Sequence, residues 1–136
     1  MWAHYGREHR GICIQLSPYE DGLFLIARQV IYGDRFPALT VPTPPGGGGE
    51  YYLHKSSDWA YEKEWRVVGP FNSCSIVLRS GTGSAVIFGA RAETTTIDAV
   101  IGLKEERERL GKAAFKIHQA ELDDEGFCIG VRRFRC

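Results

Sequence analysis

Residues 103–122, LKEERERLGKAAFKIHQAEL, decide the fold, because a helical pattern here gives way directly to a strand pattern. Apolar residues at helical spacing share one face, and oppositely charged residues four positions apart lie on other faces: Leu103, Leu110, Ala114 and Ile117 in the first group, Glu105–Arg109 and Glu108–Lys112 in the second. The pattern predicts a helix over about residues 104–116. A strand over residues 117–122 is predicted to follow it.

Short strand patterns recur through the rest of the chain, separated by turn-forming residues. They cover residues 12–16, 23–32, 65–68, 74–78, 85–88, 97–103 and 127–134. Because these runs do not alternate regularly with helices, the pattern argues against a doubly wound parallel sheet. We predict an α+β fold with a mainly antiparallel or mixed sheet of about seven short strands and one clear helix.

The length of 136 residues predicts a single domain over residues 1–136. Within it, residues 37–50 hold four prolines followed by four consecutive glycines. Proline removes a backbone donor and polyglycine is costly to order, so this stretch is predicted to be a flexible loop.

Composition narrows the classes of partner. Seventeen basic and seventeen acidic residues give zero formal net charge, which argues against nucleic-acid binding. No apolar run is long enough to cross a membrane, and residues 1–11 lack the apolar region of a secretory signal. The four cysteines have no CxxC spacing, so we expect reduced thiols in a cytoplasmic protein.

The first candidate site is the aromatic and histidine-rich segment at residues 2–9, which holds His4, Tyr5 and His9. Three interpretations are open: packed aromatic residues with histidines bonded to backbone carbonyls, the polar wall of an active site, or part of a metal site. Two histidines are too few for a typical zinc site, so we predict no metal.

The second candidate site lies in the sequence HKSSDWAYEKEWR at residues 54–66. If residues 61–67 are extended, Glu62, Glu64 and Arg66 share one face of a strand. Two adjacent carboxylates would raise the pKa of one of them unless Arg66 lies beside them. The alternatives are an acid/base or ribose-binding carboxylate and an ion-pair ladder on a solvated strand, with Trp65 in the core.

Taken together, these motifs resemble a bacterial domain-of-unknown-function family over nearly the whole chain. The matching motifs are W-x-H-Y-x-x-x-H-x-G-I-C at residues 2–13, V-x-Y at Val30 and Tyr32, K-x-x-x-W-x-Y-E-x-E-W-R at residues 55–66 and I-x-x-V-I-G at residues 97–102. Relatives in that family carry a segment before the first motif that this chain lacks. The resemblance leaves two interpretations open: the start of the chain is misassigned, or the chain is a naturally shortened copy of the kind carried on mobile gene cassettes. Loss of the segment would leave apolar surface bare, so we expect a homodimer that covers it.

The family has no settled activity that the resemblance could imply. Because the segment before the first motif is missing and the sequence shows no complete catalytic constellation, we expect a ligand- or protein-binding accessory module of bacterial mobile-element or defence type. Its candidate ligand-binding residues are His9, Lys55, Trp59 and Arg66, and it needs no cofactor. The alternative is an enzyme that cleaves a glycosidic bond or transfers ADP-ribose from NAD, because the Glu-containing strand and the I-x-x-V-I-G strand are similar to the catalytic-glutamate region of ADP-ribosyltransferases. Its candidate catalytic residues are Glu64, Glu62, His4 and Tyr5.

Overall fold

A computed structural model describes residues 2, 4–38, 47–69, 75–123 and 128–134. The chain divides into two compact units. The first unit comprises Met1–Glu20 and Leu78–Cys136, and the second comprises Asp21–Val77. The assignment of residues 1–136 to a single domain stays a prediction.

The described residues contain eight strands and one α-helix, which confirms the α+β class. The strands are β1 (Ile12–Leu16), β2 (Arg28–Gln29), β3 (Ile31–Gly33), β4 (His54–Ser56), β5 (Trp65–Arg66), β6 (Gly83–Phe88), β7 (Lys116–Leu122) and β8 (Ile129–Arg133), and the helix is α1 (Thr94–Arg109). None of the described helices is both long enough and apolar enough to cross a membrane.

The first unit is built on a four-stranded mixed sheet in the order β1-β6-β7-β8. The β6–β7 pair is parallel, and the two outer pairs are antiparallel. A parallel pair needs a long crossover connection, and α1 supplies it. The helix packs on one face of the sheet over an apolar core of Val86, Phe88, Val100, Phe115 and Ile117. Burial of these side chains provides the main stabilisation of this unit.

The predicted helix is present, but it begins ten residues earlier than expected and ends at Arg109. The expected strand over residues 97–103 is therefore wrong. These residues are helical because Ile97, Val100 and Ile101 have helical spacing and pack together against the core. Gly111 follows the helix with φ of 66°, a left-handed conformation typical of the residue after a helix end.

The charged pairs on α1 also differ from those expected. Lys104 binds Glu108, and Arg109 binds Glu106, so neither Glu105–Arg109 nor Glu108–Lys112 is the observed pair. The expected Glu108–Lys112 pair is absent because Lys112 lies beyond the end of the helix.

The second unit contains two small sheets. Strands β2 and β5 are antiparallel, and β3 and β4 are parallel. The strand expected over residues 23–32 is interrupted, because Gly22–Ile26 forms a 3₁₀ helix. The side chain of Asp21 caps this helix by accepting a hydrogen bond of 3.0 Å from the Leu23 N–H.

Two further expectations concern segments that are only partly described. Residues 75–79 are not in a strand, and the remainder of the strand expected over residues 74–78 lies outside the described residues. Of the loop expected over residues 37–50, positions 39–46 also lie outside them, and Gly47–Leu53 is a 3₁₀ helix. The flexibility of this loop stays a prediction.

Candidate functional site

Five of the eight predicted site residues come together in the second unit: Lys55, Trp59, Glu62, Glu64 and Arg66. We call these five residues the charged cluster. The other three, His4, Tyr5 and His9, belong to the first unit. The convergence of His4, Tyr5 and Glu64 that the enzyme hypothesis requires stays a prediction.

The backbone of the charged cluster reverses direction between Lys55 and Glu64. Lys55 lies in β4, and Ser56 caps the 3₁₀ helix Ser57–Glu62 by accepting from the Asp58 N–H. Lys63 then adopts a left-handed conformation with φ of 49°, which ends the 3₁₀ helix. This reversal brings both Glu62 and Glu64 within reach of the Lys55 ammonium group.

The backbone of Glu64 is anchored on both sides. Its N–H donates to the Tyr32 hydroxyl at 2.8 Å, and its carbonyl accepts from the Val30 N–H at 2.9 Å. Sequence reasoning did not include Tyr32 in the site. The available signal was the V-x-Y motif, in which the spacing from Val30 places both residues on the segment that binds Glu64.

The side chain of Glu64 receives three charged hydrogen bonds. Arg66 binds it in a two-pronged manner, with Nε 2.6 Å from Oε1 and Nη2 3.0 Å from Oε2. Lys55 Nζ lies 3.1 Å from the same Oε2 and also donates to Glu62 Oε2. Paired bonds of this kind from Arg are strong and fix the orientation of a carboxylate.

Lys55 lies at the centre of the charged cluster. Besides the two carboxylates, its ammonium group is 5.1 Å from the centroid of the Trp59 ring, a favourable cation–π distance. The Glu62 side chain is only 4% exposed, so its charge depends on Lys55 for compensation. The charged cluster is therefore an ion-pair network with the Trp59 ring packed against its central ammonium group.

The pKa shifts follow from this network. Hydrogen bonds from Arg66, and secondarily from Lys55, outweigh the effect of burial and lower the pKa of Glu64 from 4.5 to about 2. The hydrogen bond to Glu62 is the largest influence that raises the pKa of Lys55 above its ordinary value. Glu64 is therefore ionised at neutral pH, with Arg66 bound to it and Lys55 shared between it and Glu62.

Residues 61–67 do not form the continuous extended segment on which the shared strand face depended, although the side chains of Glu64 and Arg66 do meet. Glu62 ends a 3₁₀ helix, and only Trp65 and Arg66 form a strand. Trp65, which the ion-pair ladder would place in the core, is instead 63% exposed. From the sequence, one of two adjacent carboxylates should have a raised pKa unless Arg66 lies beside them. Arg66 does bind Glu64, and the pKa of Glu64 is lowered.

The histidine-rich segment forms a tight turn in the first unit. The His9 ring stacks on Trp2 with a centroid separation of 6.4 Å, and the His9 carbonyl accepts from the Arg91 N–H at 2.9 Å. A Cβ at Gly89 would lie 2.1 Å from that carbonyl oxygen, so only glycine fits there. Tyr5 is largely exposed at the surface of this turn.

Comparison with known proteins gives no match to any family model, curated protein or solved structure. The resemblance to a bacterial domain-of-unknown-function family therefore stays a prediction. Within the part of the chain that the structure describes, no three His, Cys, Asp or Glu side chains are grouped so as to hold a metal ion.

Proposed function

We propose that this chain is a ligand- or protein-binding accessory module, and that the charged cluster is the scaffold of its binding surface. The observation that carries the proposal is that the Glu64 carboxylate is hydrogen-bonded to cations and held in its ionised form. Both of its carboxylate oxygens accept hydrogen bonds from cations, and its pKa is lowered to about 2. A general acid or base works best with a pKa near the operating pH, and Glu64 is shifted in the opposite direction.

The surroundings of the charged cluster favour binding to a protein. Tyr52, Tyr61 and Trp65 are all largely exposed. The Tyr52 carbonyl accepts a hydrogen bond from Arg66 Nη1, Tyr61 precedes Glu62, and Trp65 lies between Glu64 and Arg66. Tyr and Trp on a rigid support are the residues that contribute most to binding energy at protein interfaces. The charged cluster thus orders the backbone from which these aromatic side chains project.

The location, origin and oligomeric state of this module are proposed as well. We infer a cytoplasmic protein of bacterial mobile-element or defence type that acts as a homodimer and binds no nucleic acid. The zero net charge of the sequence supports the last point. The resemblance described from the sequence motifs supports the bacterial origin.

Substitution of Glu64 by Gln tests whether this carboxylate is structural. The change keeps the shape of the side chain but removes the charge that binds Arg66 and Lys55, so we expect a loss of about 1–2 kcal/mol of folding stability. Urea unfolding followed by circular dichroism measures it. The matched control is Glu106→Gln, which removes the exposed partner of Arg109.

The two variants should differ clearly. Glu106→Gln is expected to leave stability nearly unchanged, because an exposed ion pair contributes little to folding. If Glu64→Gln were as stable as the wild type or more stable, the structural role of Glu64 would be contradicted. That result would favour the enzyme alternative, because catalytic carboxylates are commonly held at a cost in stability.

A thermal melt with NAD tests the enzyme alternative directly. A binding module without this cofactor should unfold at the same midpoint with and without millimolar NAD. Ligand present at about 100 times its dissociation constant adds about 2.7 kcal/mol, which corresponds to a rise of several degrees. Such a rise would support the alternative in which Glu62 or Glu64 acts with His4 and Tyr5.

A further inference from the structure

Strand β1 has an unusual outer edge. Within the described residues it pairs only with β6, so its other edge has no strand partner. Its sequence, ICIQL, contains no charge, no proline and no glycine. Charge and proline are among the features by which proteins prevent a free edge strand from pairing with another chain. A register shift in the β1–β6 pair lies between Gln15 and Leu16, but its extra residue, Ser84, is on β6 and not on β1.

The backbone pattern identifies which groups lie on that free edge. Gly11 accepts a hydrogen bond from the Gly89 N–H, and the Ser17 N–H donates to Thr82, so the odd-numbered positions face β6. In an antiparallel pair the backbone groups alternate in direction along the strand. The N–H and C=O groups of Ile12, Ile14 and Leu16 therefore point away from β6.

The side chains of the same three residues continue the apolar face of the sheet. Ile12 lies opposite Phe88, and Ile14 lies opposite Val86, so they share the face on which the core of the unit is built. All three are nevertheless substantially exposed, Ile14 at 58%. An added strand alongside β1 would extend this face and cover them.

We propose that β1 is the contact surface between two copies of this chain, which pair antiparallel about Ile14. In this register Ile14 lies opposite its own copy, and Ile12 lies opposite Leu16 of the partner. All three outward-facing residues then exchange both backbone bonds, which gives about six hydrogen bonds. A register centred on Cys13 leaves Leu16 outside the ladder and gives only about four.

The occupant is a second copy because the strand is complementary to itself. Its side chains are uncharged, so no like charges meet in the symmetric pairing. The opposite edge of the sheet is different: β8 carries Arg132 and Arg133, and charged side chains on an edge strand oppose pairing. The inference deepens the proposed homodimer by naming its surface, and it does not depend on the charged cluster.

Single-cysteine variants test this surface and register. In a background with serine at all four native cysteine positions, Ile14→Cys is compared with Val131→Cys, whose native side chain is similarly exposed at 54% but lies on β8. Residues directly opposite each other on bonded strands are about 5.5 Å apart at Cα, within disulfide range. We expect mild oxidation to convert Ile14→Cys, and not Val131→Cys, to a covalent dimer.

Sedimentation of the wild-type chain and of Ile14→Lys gives an independent measurement. Lysine at position 14 places like charges directly opposite each other, so the dimer dissociation constant should rise at least about tenfold, equivalent to about 1.4 kcal/mol. Val131→Lys, the control on β8, should leave the constant unchanged.

The outcomes separate the two proposals. A monomeric wild-type chain would overturn both the homodimer and this interface. A dimer that persists in Ile14→Lys, or that is linked through position 131 instead, would overturn the β1 interface and leave the homodimer standing. Folding of each variant is checked by circular dichroism, and an unfolded Ile14→Lys leaves the cysteine comparison as the deciding result.

Discussion

The two units of this protein are stabilised by different forces. In the first unit a helix covers an apolar core on a four-stranded sheet, and Phe88 at its centre is completely buried. In the second unit the strands have only two or three residues each, and a network of Lys55, Glu62, Glu64 and Arg66 connects them. The first unit should therefore respond to changes in packing, and the second to changes in charge.

The largest effect is expected from the core of the first unit. Phe88→Ala removes a ring that is 0% exposed and packs edge-on against Phe134 with centroids 5.2 Å apart. We expect a loss of about 3–5 kcal/mol, because the transfer energy of the ring and the cost of a cavity add. Denaturant unfolding measures the loss. A loss below about 1 kcal/mol would contradict the central place of Phe88 in the core.

A smaller effect is expected from Arg66→Lys in the second unit. Lysine keeps the charge but cannot form the two-pronged bond to Glu64 or reach the Tyr52 carbonyl with the same group. We expect a loss of about 1 kcal/mol, measured by the same unfolding experiment. A variant as stable as the wild type would show that net charge, and not the geometry of the guanidinium, holds the second unit together.

The pH dependence of stability has a definite direction. The pKa of Glu64 is lowered from 4.5 to about 2 in the folded protein, so folding favours its ionised form. This contribution is fully present above about pH 4.5 and is lost as the pH falls toward about 2. Unfolding curves recorded across this range should show a steeper loss for the wild type than for Glu64→Gln. Parallel pH profiles would contradict the assignment.

The smallest effect is expected from removing an exposed ion pair on the surface of α1. The Lys104–Glu108 pair lies on an exposed helical face with an N–O distance of 2.6 Å, and Lys104→Ala should cost no more than about 0.5 kcal/mol. High salt screens this ion pair, so the stability difference between Lys104→Ala and the wild type should be smaller in high salt than in low salt. A cost above about 1 kcal/mol would place α1 among the charge-dependent elements.

The contrast between the units also explains what could be predicted from the sequence. Strands β1, β6, β7 and β8 were predictable because apolar residues alternate or run together along them. The segment at residues 97–103 was misassigned because β-branched residues such as Ile97 and Val100 favour strands in isolation, although their spacing is helical. Packing against the sheet decides between the two.

The candidate site was predictable in its members and not in its geometry. The grouping of Lys55, Glu62, Glu64 and Arg66 is visible in the sequence. Their convergence depends on a 3₁₀ helix and on a left-handed Lys63, and lysine at that position gives no signal of such a conformation. The V-x-Y motif draws attention to Tyr32, but its contact with Glu64 joins segments 32 positions apart, and the motif alone does not identify that partner.

Residue-resolved hydrogen exchange at about pH 7 and about pH 3 tests the different basis of the two units most directly. The reporters are the Glu64 and Val30 amides in the second unit and the Phe134 amide, which donates to Ile117 at 3.0 Å, in the first. After correction for intrinsic exchange rates, we predict that acid lowers the protection of the Glu64 and Val30 amides far more than that of Phe134. Equal loss of protection in the two units, or a greater loss at Phe134, would contradict the distinction between a charge-stabilised unit and a core-stabilised one.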